Sequence, residues 1–188
     1  MLWVDKYRPK ALSALTFHDD LTQRLTSMSS DSEIPHLLFY GPTGSGKKTR
    51  ATSLLRAVFG PAVDKLRLDS RTFTTPSKRT LTINLITSAF HIELTPSDAG
   101  IYDRYVVNEV IKEMASHSTI NAGAAKVAFK VVVLNDVDRL SKQAQAGLRR
   151  TMEKYTSSCR LILLCSNQSK VRETRRDKDK PRAAKPAL

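Results

Sequence analysis

Residues 36–49 read HLLFYGPTGSGKKT, and this stretch decides the fold of the chain. Its apolar first part ends at Tyr40, a glycine-rich turn follows, and residues 50–59 then carry apolar side chains at helical spacing. This order predicts a strand, a loop and a helix. From Gly41 to Lys47 the turn fits the pattern G-x-x-x-x-G-K, in which backbone N–H groups and a lysine surround a phosphate at the positive end of a helix. We predict a phosphate-binding loop here; the alternative is an ordinary strand-to-helix turn.

The residue after Lys47 departs from this pattern. In phosphate-loop proteins that position carries a hydroxyl that binds Mg²⁺, whereas here it is Lys48. Thr49 comes one residue later, about a quarter-turn or more round the helix. A protonated lysine has no lone pair to give a metal. The loop is therefore predicted to bind phosphates, whereas the residue after Lys47 does not favour Mg²⁺ binding.

The composition favours a protein that binds a polyanion. The chain has 188 residues, enough for one ordinary core, and its 31 Lys+Arg against 18 Asp+Glu give a net charge of +13. Nucleic acid is the commonest partner of this kind; the alternative is a solubilising surface with a basic tail. The two cysteines, Cys159 and Cys165, lie in or beside an apolar run, as expected of reduced core cysteines inside a cell. No stretch resembles a membrane span or a secretory signal.

Periodicity predicts an α/β domain over residues 1–171 and a basic, disordered tail over residues 172–188. The predicted helices cover residues 17–28, 50–59, 103–116 and 141–155, and the predicted core strands cover 36–40, 63–69, 130–134 and 160–164. Residues 81–85 and 92–94 alternate in polarity and are predicted to form an inserted hairpin, with a loop at 71–79. Strands separated by helices predict a parallel sheet, in which ligands bind at the carboxyl ends of the strands.

A second candidate site follows the strand at 130–134. In phosphate-loop ATPases such a strand delivers an aspartate to Mg²⁺, and in many of them an adjacent glutamate activates water. Here the two positions are Asn135 and Asp136. The amide is neutral, and the aspartate is one methylene shorter than glutamate. Both metal-contacting elements are thus altered together, which favours holding a nucleotide over hydrolysing it; a polar strand end without function is the alternative.

Four stretches, two of them described above, together indicate a family. Residues 3–9 (WVDKYRP), 41–50 (GPTGSGKKTR) and 144–154 (AQAGLRRTMEK), with the NDVD that begins at Asn135, together resemble the small subunits of replication factor C, the eukaryotic clamp-loader AAA+ proteins. The resemblance is nearest to the kind of small subunit whose own ATP site is degenerate, and it covers residues 1–171. It implies an AAA+ phosphate-loop core, with a parallel sheet flanked by helices and an inserted β-hairpin.

The resemblance also implies a function. Clamp loaders are five-subunit rings that use ATP to open a sliding clamp and close it round primer-template DNA in replication and repair, in the nucleus. The expected partners are the other subunits, the clamp and DNA, with no membrane, and the expected cofactor is ATP or ADP, with Mg²⁺ possible in addition. The implied nucleotide-binding residues are Val4, Arg8, Thr16, Gly41, Pro42, Thr43, Gly44, Ser45, Gly46, Lys47, Lys48, Thr49 and Asn167, and the implied DNA-binding residues are Lys142 and Arg149. No catalytic residue is assigned beyond the altered pair Asn135 and Asp136, and no metal ligand is assigned.

After Val171 the chain departs from the family, which continues into a Ser-Arg-Cys motif, a helical lid and a collar. From this departure we expect a truncated form that lacks lid and collar. Three readings stay open: a nucleotide-holding subunit, an active Mg²⁺-dependent ATPase that uses Lys47, Asp136 and Asp138, and a fragment that does not assemble. A small-molecule kinase is disfavoured, because it leaves residues 3–9 unexplained.

Overall fold

A mixed β-sheet with helices on both faces organises the chain in the computed structural model, which describes residues 2–30, 34–74, 80–116 and 129–171. The strands are β1 (Leu37–Tyr40), β2 (Arg67–Thr74), β3 (Thr80–Thr87), β4 (His91–Leu94), β5 (Lys130–Leu134) and β6 (Cys159–Cys165). The α-helices are α1 (Trp3–Lys6), α2 (Asp19–Ser30), α3 (Lys47–Phe59), α4 (Asp103–Ser116) and α5 (Lys142–Lys154). Short 3₁₀ turns lie at Leu12–Ala14, Pro61–Asp64, Pro96–Tyr102, Val137–Arg139 and Gln168–Lys170.

The strand order is β1-β6-β5-β4-β3-β2. The pairs β1–β6, β6–β5 and β5–β4 are parallel, whereas β3 is antiparallel to both β4 and β2. In the register, Tyr40 lies opposite Cys165 and Leu134 lies opposite Leu163. The carboxyl ends of the four parallel strands therefore meet at one edge, where an open α/β sheet binds its ligands.

Strand β5 shows why the sheet is buried on both faces. Val132 and Leu134 point into one core, formed with α4 and α5, while Val131 and Val133 point into the other, formed with α3 and the turn at Leu12–Ala14. Successive side chains of a strand face opposite sides, so a strand between two helical layers must be apolar throughout. This confirms the α/β core predicted from the apolar run.

The predicted hairpin is confirmed, because β3 pairs antiparallel with β4 at Ile86–Glu93 and Thr87–Ile92, but the predicted loop at residues 71–79 is wrong in its first part. Strand β3 pairs with β2 over eight positions from Arg67–Thr87 to Thr74–Thr80, and residues 71–74, predicted as loop, belong to β2. Threonine is favourable in strands, and Arg71 and Phe73 turn their half-buried side chains to one face. On its other side, strand β4 pairs parallel with β5. The sheet is thus mixed, with a parallel half beside the phosphate loop and an antiparallel half beyond it.

Smaller differences concern the ends of elements. The strand predicted from residue 63 begins at Arg67, because the Gly60-Pro61 stop is followed by a 3₁₀ turn. Helix α4 covers the predicted residues, and α5 begins after Ser141, whose Oγ accepts the Ala144 N–H at 3.1 Å as a cap. The predicted tail at residues 172–188 lies outside the described residues, so the domain boundary at 171 stays a prediction. Among the described helices, none is both long and apolar enough to cross a membrane.

Candidate functional site

The loop between β1 and α3 has the backbone that its glycines predict. Gly44 and Gly46 have φ angles of 85° and 77°, in the left-handed region that favours glycine. The Gly41 N–H donates to the Cys165 carbonyl at 3.3 Å, which ties the loop to β6, and the Arg50 N–H donates to Gly46 O at 2.9 Å where α3 begins. The loop therefore turns at the carboxyl edge of the sheet and directs its chain into the positive end of a helix.

Lys47 lies inside this turn. Its Nζ donates to the carbonyls of Gly41 at 2.7 Å and Pro42 at 2.8 Å, and the residue is half-buried. The residues between Pro42 and Lys47 are exposed. The exposed loop with the Lys47 ammonium inside its turn is compatible with phosphate binding, which stays a prediction for residues 41–47.

Three elements contribute polar side chains next to this loop. Lys48, in the first turn of α3, forms an ion pair with Glu93 on β4, and Asn135 at the end of β5 donates from Nδ2 to Glu93 Oε1 at 2.9 Å. We call these three residues the Lys48–Glu93–Asn135 cluster. It brings both predicted departures from the ATPase pattern onto one carboxylate, which sequence reasoning missed. The sequence shows only an acidic residue between Ile92 and Leu94, and the burial of Glu93 is visible in the structure alone.

Asp136 and Thr49 flank this cluster in sequence. Asp136 is half-buried and has φ 49° and ψ 45°, a left-handed conformation that is uncommon outside glycine. Its carbonyl accepts the Arg139 N–H at 3.0 Å and thereby begins the turn at Val137–Arg139. Thr49 is half-buried one position beyond Lys48. The backbone at Asp136 thus turns sharply away from the line of β5.

The segment before α2 lies against the helix that follows the loop. Ser53 Oγ donates to the Pro9 carbonyl at 3.5 Å, and the buried Arg50 donates from Nη2 to the Phe17 carbonyl at 2.7 Å. Burial lowers the pKa of Arg50 from its usual value. Arg50 was not predicted as a site residue, although it fixes the chain beside Thr16. The structure thus brings the neighbours of the predicted Arg8 and Thr16 to α3.

The N-terminal arm is more exposed than expected. Trp3 is 81 % exposed and Val4 68 %, and Trp3 packs edge-on against Tyr7 with ring centroids 6.2 Å apart. Three large apolar side chains on a charged terminus predict an arm that packs against another part of the protein, yet within the described chain Trp3, Val4 and Tyr7 are exposed. Arg8 is half-buried, and the nucleotide-binding roles of Val4 and Arg8 both stay predictions.

Asn167 follows β6 at the same edge of the sheet. It is exposed, and its Oδ1 accepts from Ser169 N at 3.0 Å and Ser169 Oγ at 2.6 Å, so it caps the turn at Gln168–Lys170. Ser166 is the first residue after the strand. The amide oxygen of Asn167 is thus engaged in its own turn.

The predicted DNA-binding cations lie on α5. Lys142 is exposed in the first turn, and Arg149 is paired with Glu153, from Nε to Oε1 at 3.5 Å. Gln145, on the same helix, is buried and donates to the carbonyls of Leu140 and Lys170, so it holds α5 to the core.

A basic groove lies between α4 and α5, and sequence reasoning did not identify it. Its volume is about 410 Å³, and its lining includes Arg104 and Lys112 from α4 and Arg150 and Lys154 from α5. The four cations come together only because the two helices pack side by side. The sequence shows each pair of cations on its own helix, but it does not show that the two helices pack side by side.

Comparisons with known proteins agree on one family. The family model described as DNA polymerase III, delta subunit, matches residues 17–178. The chain is 51% identical over 173 residues to replication factor C subunit 5 of Schizosaccharomyces pombe, covering 92% of this chain and 48% of the relative. It is 49% identical over 170 residues to replication factor C subunit 3 of Homo sapiens, covering 90% and 48%. The chain thus spans about half the length of the curated relatives that it matches.

Solved structures share the fold at low sequence identity. A RuvB protein of Thermotoga maritima superposes with a TM-score of 0.57 at 12% identity, over 89% of this chain and 44% of that one. A DNA polymerase III gamma-subunit-related protein of the same organism superposes with a TM-score of 0.50 at 15% identity, over 81% and 41%. The described residues therefore form an α/β core of the AAA+ type.

Proposed function

The chain belongs to the DNA polymerase III delta-subunit family, and on that premise we propose that it is the nucleotide-binding domain of a DNA clamp-loader subunit of the replication factor C type. In this role it holds ATP or ADP and works with other replication factor C subunits to load a sliding clamp at primer-template junctions. The process is DNA replication and repair, and the expected compartment is the nucleus.

The phosphate loop is the observation that carries this proposal. Gly44 and Gly46 are in the left-handed conformation, α3 starts immediately after them, and Lys47 lies within the turn. Oriented N–H groups, a helix dipole and an ammonium are the parts that bind the phosphates of a nucleotide. Val4, Arg8 and Thr16 are proposed for the adenine side and Asn167 for the γ-phosphate side.

Holding is favoured over hydrolysis by the side chains next to the loop. Asn135 and Lys48 stand where an ATPase needs an aspartate and a hydroxyl, and both are bonded to Glu93. Asp136 begins a turn instead of extending β5. We therefore propose slow or absent turnover. The competing function, an active Mg²⁺-dependent ATPase, requires these side chains to rearrange.

Calorimetric titration of the full chain with ATP and ADP tests nucleotide binding, and phosphate release on the same samples tests turnover. We expect binding of both nucleotides, little phosphate release, and a loss of affinity of about tenfold or more in Lys47→Ala, about 1.4 kcal/mol. Lys65→Ala is the matched control, because Lys65 is an exposed lysine beyond the far end of α3. Steady phosphate release that Lys47→Ala abolishes would establish the ATPase instead.

Assembly is tested by mixing the chain with the other replication factor C subunits and measuring size by light scattering. We propose that the chain joins them. A chain that binds nucleotide but stays alone in every mixture would be a fragment that does not assemble.

The DNA surface is proposed at Lys142 and Arg149, as the family resemblance implies. Contacts from cations to phosphates bind DNA without regard to sequence, and they weaken with salt. Arg149→Ala should weaken binding to a primer-template duplex and reduce the salt slope by about one. Arg150→Ala is the comparison variant, because Arg150 is the next residue along α5 and lines the groove between α4 and α5. If only Arg150→Ala weakens binding, the groove and not the Arg149 face is the DNA surface.

A further inference from the structure

The Lys48–Glu93–Asn135 cluster replaces a metal site with a network of N–H donors. Lys48 lies directly after the phosphate-loop lysine, and its ammonium is bonded to Glu93. Asn135 donates its amide N–H to Oε1 of the same carboxylate at 2.9 Å. Three elements, α3, β4 and β5, thus converge on one carboxylate next to the predicted phosphates.

These residues do not fit Mg²⁺. Magnesium binds oxygen ligands, and in nucleotide sites these are a hydroxyl, a carboxylate, phosphates and water. Lys48 offers an ammonium in place of the hydroxyl, and Asn135 turns its N–H toward Glu93 in the position of the carboxylate. Glu93 itself is the nearby anion in this network, and its charge is already met by the ammonium. A metal placed there would face positive charge and N–H donors.

We propose that the Lys48 ammonium takes the electrostatic place of the divalent cation, so that the chain binds nucleoside diphosphates and triphosphates without a metal. The proposal rests on the proposed function as a nucleotide-binding domain. Glu93 is a positioning residue: it holds Lys48 and does not itself touch the nucleotide. Asn135 holds Glu93.

The exposed fractions of the Lys48 and Glu93 side chains support these roles, with Lys48 facing the nucleotide and Glu93 holding Lys48. The Lys48 side chain is 49 % exposed, whereas that of Glu93 is 10 % exposed. The Glu93 side chain is therefore the inner partner and the Lys48 side chain the outer one, just after the exposed loop ends. With Lys47, two successive ammonium groups stand at the positive end of α3 and can offset phosphate charge.

A tethered ammonium can neutralise phosphates but cannot do the rest of a metal's work. It has one charge where Mg²⁺ has two, and it neither orders water by coordination nor acts as a Lewis acid. The substitution therefore couples two properties, binding without metal and slow hydrolysis. The same side chain accounts for both.

Calorimetric titration of the full chain with ADP and with ATP, once in EDTA and once in excess Mg²⁺, tests the proposal. We expect affinities in the two buffers to agree within about threefold, which is less than 1 kcal/mol. Lys48→Thr, which returns a hydroxyl to this position, should lose about tenfold or more of the affinity in EDTA. Lys65→Thr, in the turn beyond the far end of α3, should bind as the parent does.

A double variant supplies the converse test. Lys48→Thr combined with Asn135→Asp returns both oxygen ligands, so its nucleotide affinity should rise by about tenfold or more when Mg²⁺ is added. Circular dichroism of each variant is the control for folding.

Two results would overturn the proposal while the proposed function stands. One is a parent chain that binds nucleotide only in Mg²⁺, a measurement that needs no variant; the other is a folded Lys48→Thr chain that binds in EDTA as tightly as the parent. A parent chain that binds neither nucleotide in either buffer would overturn the proposed function as well.

Discussion

The side chain of Asn135 donates a hydrogen bond to the buried carboxylate of Glu93. Glu93 accepts from Asn135 Nδ2 at 2.9 Å and pairs with Lys48. Replacing the amide with a carboxylate puts two negative charges in contact. Asn135→Asp should therefore lower the free energy of unfolding at pH 7 by about 1–3 kcal/mol, measured by urea denaturation. Asn84→Asp is the control, since an exposed carboxylate there still accepts from Ser70 Oγ; equal losses in both variants would contradict the role of Glu93.

The two cysteines should be inert in the folded chain. Both are free and buried, and burial raises the pKa of each thiol to about 11; Arg160 and Lys130 oppose this at Cys159, and Lys47 opposes it at Cys165 while Asp138 adds to it. At pH 8 only about one thiol in a thousand is then ionised, and the thiolate is the reactive form. A colorimetric disulfide reagent should react at least about a hundredfold more slowly with the native chain than with the chain in urea. Equal rates would show that the thiols are accessible.

Helices α4 and α5 are joined by a buried carboxylate. Asp103 is 2 % exposed and accepts from Arg104 N at 2.6 Å, Ser141 N at 2.6 Å and Ser141 Oγ at 2.9 Å. It thus holds the first turn of α4 against the cap of α5, which fixes the walls of the basic groove.

Asp103→Asn should weaken the hydrogen bonding between α4 and the N-terminal cap of α5. An amide has one acceptor oxygen where the carboxylate has two, so at least one donor loses its partner. The free energy of unfolding should fall by about 1–3 kcal/mol, as measured by urea denaturation. Asp98→Asn, an exposed position in the turn before α4, should change it by less than about 0.5 kcal/mol. A small effect at Asp103 would mean that water replaces the lost bond.

Elements were predictable where the signal is local. The apolar run of β5 and the helical spacing of α4 follow from neighbouring residues, and both are confirmed, as is the family. The pairing of β4 with β5 and the length of β2 depend on the order of strands across the sheet, which no local pattern contains. The strand and helix on either side of the turn at residues 41–46 were predictable for the same reason that β5 was, whereas phosphate binding in that turn stays a prediction. Glu93 and Arg50 were not, because their partners come from distant parts of the chain.

Across the whole molecule, acid should weaken the fold through two histidines, the half-buried His36 and the buried His91. His36 Nδ1 accepts the Leu161 N–H at 3.0 Å; burial and then Arg160 lower its pKa, although a backbone hydrogen bond opposes them. Burial also lowers the pKa of His91, against the opposing charge of Glu93. In the unfolded chain both titrate near about 6.5. The folded state therefore binds fewer protons, so stability is present above pH 6.5 and is lost as pH falls below it.

The urea concentration at the midpoint of unfolding should accordingly be lower at pH 5.5 than at pH 7.5. His36→Asn supplies a matched variant, because its amide oxygen can accept the Leu161 N–H without titrating. Its pH dependence should be smaller than that of the parent, with the remainder due in part to His91. The same slope in both chains would exclude His36 as a source.

The pairing of β1 with β6 also sets an order of events during folding. His36 and Leu161, which share a hydrogen bond, are 125 positions apart, and β6 is the sheet neighbour of β1. A ribosome releases the phosphate loop early, but the strand that anchors it has not yet been made. Closing so long a segment costs entropy before it yields contacts. The phosphate loop is therefore among the last parts of the domain to become fixed during biosynthesis, although it lies near the start of the chain.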